Sequence, residues 1–274
     1  MANNVQLVGK VGSMSLINRE YRDMNYNVIA KIARELRPGM IWVTSGATEI
    51  GRLDYLRRNG CEIDGDLDDA KMDYAAQGQS VLMAKYREYV SDQFSIRQIL
   101  VEHQHFNDPQ KRDSLMRMLS RCPAQNAIPI INYNDAVSYE ENRKLEIAQL
   151  SGKLQHVVQC VDNDETASSI SALVKPDVLL ILTTTDGIYA DPTDPKTRIP
   201  EISATTAEEL INKINDYKSN CRGTSRRGSG GAAAKLEYVK EAAALGTRVI
   251  IGNAIYGINA FLDDAAPCTQ IFLK

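Results

Sequence analysis

The sequence predicts an α/β fold, a three-layer αβα sandwich around an open, mainly parallel sheet. Three observations predict it. Short apolar runs recur along the chain. Longer stretches with helical spacing of apolar residues lie between them, the alternation expected of a parallel sheet covered on both faces. Several apolar runs also end directly on small or polar residues, as strands do where an α/β sheet carries its ligands.

The elements follow in order. Val5–Val11 reads as a first buried strand, and Asn18–Leu36 as a helix whose apolar face holds Tyr21, Val28, Ile29, Ile32 and Leu36, stopped by Pro38-Gly39. Met40–Thr44 is a second strand, running through Ser45-Gly46-Ala47 into a helix that reaches Leu56. Gly60–Asp68 is polar and turn-like, and Asp73–Gln93 is a long helix. Ile99–Val101 is a third strand, Ser114–Leu119 belongs to a helix, and Ala127–Ile131 is a fourth strand ending at Asn132-Tyr133-Asn134-Asp135. Asp164–Leu173 suits a helix, and Val178–Leu182 is a fifth strand, followed by Thr183 to Asp191. Asp191–Pro200, rich in Pro, Asp and Thr, reads as a loop. Ala207–Ile214 and Ala232–Leu245 are helical, Arg248–Ile251 is a strand, and Gln270–Leu273 closes the edge of the sheet. The chain reads as one domain of two lobes, residues 1–175 and 176–274, meeting near Lys175-Pro176.

Composition narrows the function classes. The 274 residues are 43% hydrophobic and 24% charged, ordinary for a globular protein that can bury a full core. A net charge of -3 argues against a general nucleic-acid binder. No apolar run approaches a membrane span of about 20 residues, and the N-terminus has no signal-peptide pattern. The five cysteines are scattered and never paired as CxxC, which reads as reduced thiols in a cytoplasmic protein. The three histidines form no zinc set with them, so no metal site is expected from Cys and His.

The segment Gly223–Gly246 carries the first chemical signal. Gly228, Gly230 and Gly231 form a polar loop that opens a helix, whose start carries free N–H groups and the positive end of the dipole. Lys235 sits in about the first turn, with Arg226 and Arg227 just before it. Three cations there make sense if an anion such as a phosphate binds; the alternative is a Gly-Ser linker with solvated basic residues. The P-loop pattern is absent, because Ser229 stands where its lysine should be, and no GxGxxG follows a predicted strand. What remains is a phosphate site built from separated pieces.

Those pieces resemble the amino acid kinase family, in the same order over nearly the whole chain. Lys10-Val11-Gly12-Ser13, Val43-Thr44-Ser45-Gly46-Ala47, Ala76-Gln77-Gly78-Gln79, Pro129 to Val137, Asp162-Asn163-Asp164, Asp186-Gly187-Ile188-Tyr189 and Gly230-Gly231 through Lys235-Leu236 are similar to its motifs. Asn132-Tyr133-Asn134-Asp135 and Asp162-Asn163-Asp164 are the more specific pair, and resemble the branch that phosphorylates the side chain of glutamate.

The resemblance implies a role for each matched position. Lys10 and Lys235 would contact the transferring phosphoryl group from two sides, and Asp164 would hold both lysines, unless it serves only as the N-cap of the helix that follows. Ser45, Gly46, Asn132, Asp135 and Asn163 would bind the acceptor. Gly12, Ser13, Thr183, Thr184, Asp186, Gly187, Tyr189, Gly230 and Gly231 would bind the nucleotide. The implied reaction turns L-glutamate and ATP into L-glutamate 5-phosphate, the first step toward proline. Mg²⁺ arrives with ATP, and the expected assembly is a homodimer or tetramer.

Thr184 departs from the pattern, standing where an aspartate is usual, and the chain stops at Lys274 without the RNA-binding-like domain that some members of the branch carry. Two rivals stay open. One is a kinase of the same fold acting on acetylglutamate, a nucleoside monophosphate, carbamate, or a phosphonate or isopentenyl phosphate. The other is a ligand-binding sensor without catalysis.

Overall fold

A computed structural model describes residues 5–138, 140–152, 157–159, 162–220 and 231–274. Among them an eight-stranded sheet is formed by β1 (Leu7–Val11), β2 (Met40–Val43), β3 (Ser95–Val101), β4 (Ala127–Tyr133), β5 (Val178–Thr183), β6 (Glu201–Ala204), β7 (Arg248–Asn253) and β8 (Cys268–Leu273). Its order is β6-β8-β7-β5-β1-β2-β4-β3. All neighbours run parallel except β7 and β8.

Helices of ten residues or more connect these strands: α1 (Tyr26–Glu35), α2 (Ala47–Asn59), α3 (Leu67–Tyr89), α4 (Pro109–Arg121), α5 (Glu140–Ser151), α6 (Asn163–Val174), α7 (Ala207–Asn220) and α8 (Ala232–Ala244). One face of the sheet packs against α4, α6, α7 and α8, through Leu119, Ile170, Leu210 and Leu236. The other packs against α1, α2 and α3, through Ile29, Ile50 and Leu82. Alternate residues of each central strand enter the two cores, as strand geometry requires: Val8 and Leu179 point one way, Leu7 and Leu180 the other. The three layers are those the sequence predicts.

Several boundaries differ, each for a local reason. The expected helix from Asn18 begins only at Tyr26. Ile17–Asn18 and Asp23–Met24 form a short antiparallel hairpin, Arg22 is left-handed (φ 49°), and the Asn25 side chain caps α1 by accepting the Val28 N–H. Tyr21 therefore lies on the exposed hairpin and not on the buried helix face. The long helix starts earlier than Asp73, because Asp66 accepts the N–H groups of Asp68 and Asp69 and fixes its first turn. The segment from Asp191 to Pro200 is not all loop: Arg198–Ile199 pairs with Ile188–Tyr189. β8 does not close the edge. It lies between β7 and β6, and the four-residue β6 takes the edge, with Ile202 and Ala204 buried and Glu201 exposed. Too few residues alternate there to signal a strand.

Two glycines set how closely the layers approach. Gly51 of α2 and Gly78 of α3 face each other where the helices cross. A Cβ on Gly78 would lie 1.8 Å from the Ala47 carbonyl oxygen, and one on Gly51 1.8 Å from that of Tyr74. No other side chain fits that crossing without separating the helices.

Candidate active site

The strand order reverses between β1 and β5. β1 connects outward to β2 on one side, while β5, β7 and β8 extend the sheet on the other. Ligands of open α/β sheets bind outside the carboxyl ends of strands at such a switch point. A cleft of about 640 Å³ opens there, lined from β1 by Lys10, Gly12 and Ser13, and from β5 by Leu182, Thr183 and Thr184.

Lys10 belongs to β1 itself, and its register partners are Val43 and Ile181. It is 6% exposed, so its ammonium group needs a partner inside the protein. Asp164 supplies it. The Lys10 Nζ lies 2.6 Å from Asp164 Oδ1, and Lys235 Nζ lies 3.0 Å from Oδ2 of the same carboxylate. Lys235 comes from the first turn of α8, where the helix dipole alone would disfavour a cation. Burial by itself would raise the Asp164 pKa; the two ammonium groups outweigh it and hold the carboxyl below its ordinary range. Two residues far apart in the chain thus converge on one anionic brace.

Asp164 is not the helix cap. Asp162 takes that place, its Oδ1 accepting the N–H groups of Asp164 at 2.8 Å and Glu165 at 3.0 Å. Asp162 also lines the cleft. Its carboxyl is pushed up by burial and by the neighbouring Asp164 charge. The same cluster of charges, after burial, raises the Tyr238 hydroxyl well above its usual value.

The other wall comes from β2, β4 and α6. Ser45 and Gly46 follow β2, and Gly46 has φ 91°, a left-handed turn that swings the chain into α2. Asp135 lines the cleft after β4, and Asn163 does so from the first turn of α6. Asn132 is 1% exposed and stands behind them. Its Oδ1 accepts from Asn163 Nδ2 at 2.9 Å, and its Nδ2 donates to Gln79 Oε1 at 2.7 Å. Of the five residues of the expected acceptor set, Ser45, Gly46, Asp135 and Asn163 line the cleft, and Asn132 holds Asn163 from behind. Gln79 has its place because it follows Gly78, where α3 meets α2.

The expected nucleotide residues divide. Gly12, Ser13, Thr183 and Thr184 line the cleft. Asp186 accepts instead from Asn253 Nδ2 at 3.0 Å. Gly187 packs against Thr269, and Tyr189 pairs with Arg198 in the short hairpin. Gly231 heads α8, while Gly230, with the rest of residues 221–230, lies outside the described residues. Met14, Ser15, Thr48, Glu49, Tyr133 and Asp162 line the cleft without having been singled out. Asp162 and Tyr133 sit inside quoted motifs, whereas Thr48 and Glu49 carried no signal beyond following Ser45-Gly46-Ala47. Among the described residues no group of three or more His, Cys, Asp or Glu side chains could hold a metal ion. No helix there is long and apolar enough to cross a membrane.

Comparison with known proteins agrees with the geometry. A family model described as the amino acid kinase family matches residues 6–253. A glutamate 5-kinase of Gloeobacter violaceus is 30% identical over 98% of this chain and 69% of its own length. A glutamate 5-kinase of Clostridium perfringens is 27% identical over 92% of this chain and 89% of its own. The structure of Giardia carbamate kinase superposes with a TM-score of 0.58 at 13% identity, covering 100% of both chains, a likeness of fold.

Proposed function

The chain belongs to the amino acid kinase family, and from that premise we propose that it transfers the γ-phosphoryl group of ATP to the side-chain carboxylate of L-glutamate, giving L-glutamate 5-phosphate, as a first step toward proline. The observation that carries the proposal is the Asp164 carboxylate between Lys10 and Lys235 on the wall of the switch-point cleft. The names of the curated relatives support the choice of acceptor.

A phosphoryl group in transfer spreads negative charge over its equatorial oxygens, so catalysis is mainly positioning and electrostatic stabilisation. Lys10 and Lys235 supply that charge from two sides, and Asp164 keeps them together when no phosphate is bound. Ser13 lines the cleft just after β1 and suits the triphosphate through its backbone N–H, whereas the Gly12 N–H donates to the Leu182 carbonyl oxygen at 3.0 Å. The acceptor carboxylate is already ionised at neutral pH, so it attacks phosphorus without a general base. The bond from the γ-phosphorus to the bridging oxygen breaks, and ADP leaves. Asp135 suits the acceptor's ammonium group, and Ser45 and Asn163 suit its carboxylates. The described residues offer no protein cage for a divalent cation; Mg²⁺ fits as an ion held mostly by the triphosphate and water. In this reading residues 1–175 carry the acceptor side and residues 176–274 the nucleotide side, in a soluble homo-oligomer that needs no nucleic acid.

The test is an acceptor panel with ADP release as the readout. Glutamate should give turnover with hydroxylamine-trappable acyl phosphate in equal amount. Acetylglutamate, carbamate, nucleoside monophosphates and isopentenyl phosphate should give little. ADP release with one of those and none with glutamate would refute the acceptor, and binding of ATP and glutamate without turnover would support a sensor.

A further inference from the structure

The Thr183–Asp186 strand end carries the nucleotide side of the cleft, yet its one carboxylate does not line the cleft. Asp186 accepts from Asn253 Nδ2 at 3.0 Å, and the same nitrogen lies 3.4 Å from the Thr184 carbonyl oxygen. Asn253 ends β7 directly beside Thr183, its register partner on β5. Its Oδ1 accepts the Ile255 N–H at 3.3 Å, which fixes the amide orientation and leaves Nδ2 as the donor. Thr183 and Thr185 add a local turn, with the Thr185 N–H donating to Thr183 Oγ1 at 3.0 Å. One side chain therefore joins the exposed Thr184 turn to a central strand. A smaller cleft of about 170 Å³, lined in part by Asn253, Thr184 and Ser15, adjoins the main one.

We propose that Asn253 is a positioning residue for the phosphoryl donor: by tying Thr184 and Asp186 to the end of β7, it sets the shape of the nucleotide side and hence donor affinity. The inference rests on the kinase reading above. Asn253→Asp keeps the acceptor oxygen for Ile255 but sets a carboxylate against the Asp186 carboxylate, so the tie becomes a repulsion. Combining Asn253→Asp with Asp186→Asn restores a donor and an acceptor with their places exchanged.

The experiment is ATP binding by calorimetry together with KM for ATP and for glutamate, on wild type, both single variants and the double variant, with melting temperatures measured in parallel. Asn253→Asp should weaken ATP binding and raise its KM about tenfold, the scale of one lost hydrogen bond to a charged group. The glutamate KM should hold, and the double variant should recover most of the loss. An Asn253→Asp protein with unchanged ATP affinity would overturn the inference while leaving the kinase reading intact. So would a double variant that melts like wild type but stays weak for ATP. Wild-type protein that neither binds nor turns over ATP would overturn the kinase reading and this inference together.

Discussion

Asp164 places one negative charge between two ammonium groups that would otherwise repel each other in a nearly buried position. Asp164→Asn removes the shared charge and leaves both lysines with an amide. Breaking a buried pair in this way destabilises by about 3 kcal/mol, and losing preorganised charge lowers turnover by about 10²–10³-fold. Urea unfolding and steady-state kinetics on the one variant check both outcomes. The pH sign follows from the depressed carboxyl: its stabilising contribution is fully present above the unfolded carboxyl value of about 4 and is lost as pH falls through the lower folded value. Asp162 has the opposite sign, because its folded value is raised. Its ionised form costs stability at neutral pH, and that cost fades as pH falls through the folded value. Asp162→Asn keeps a good cap and removes the repulsion, so at pH 7 the variant should melt at or above the wild-type temperature, with the difference vanishing near pH 4. A markedly lower melting temperature at pH 7 would contradict this. Lys10 was legible because it sits between apolar residues and glycines, and Lys235 because it is a cation in the first turn of a helix opened by glycines. The division of labour between Asp162 and Asp164 was not, since either aspartate can cap a helix and only the backbone geometry at Asp162 decides which one does.

At the scale of elements, the crossing of α2 and α3 connects packing to the site. Gly78→Ala puts a methyl group against the Ala47 carbonyl oxygen and 2.4 Å from the Gly51 nitrogen, so the helices must part. Overpacking of this kind destabilises by about 1–3 kcal/mol. Displacing α3 also moves Gln79 away from Asn132, so the KM for glutamate should rise while the KM for ATP changes less. Denaturant midpoints and the two KM values test the two halves separately. The central strands were readable because apolar runs buried on both faces need no partner to identify them. The hairpin at Ile17–Met24 was hidden, because Val28, Ile29 and Ile32 extend a helical pattern whose start is set by a single Asn25 cap. β6 was hidden because it contributes only four half-alternating residues.

At the scale of the molecule, the strands of the two proposed lobes join in one continuous sheet at the β1–β5 pairing. The chain returns across that line to bring α8, and with it Lys235, back to Lys10. Order along the sequence gave the strands and helices, and the family resemblance implied this convergence; its physical basis is a sheet order in which the fifth strand pairs with the first. The most direct measurement is turnover of Lys235→Ala beside wild type, with glutamate affinity measured by calorimetry on both. If the braced lysines stabilise the transferring phosphoryl group, turnover falls by about 10²–10³-fold while glutamate affinity is kept. A Lys235→Ala protein that turns over at the wild-type rate would show that the brace serves only the fold.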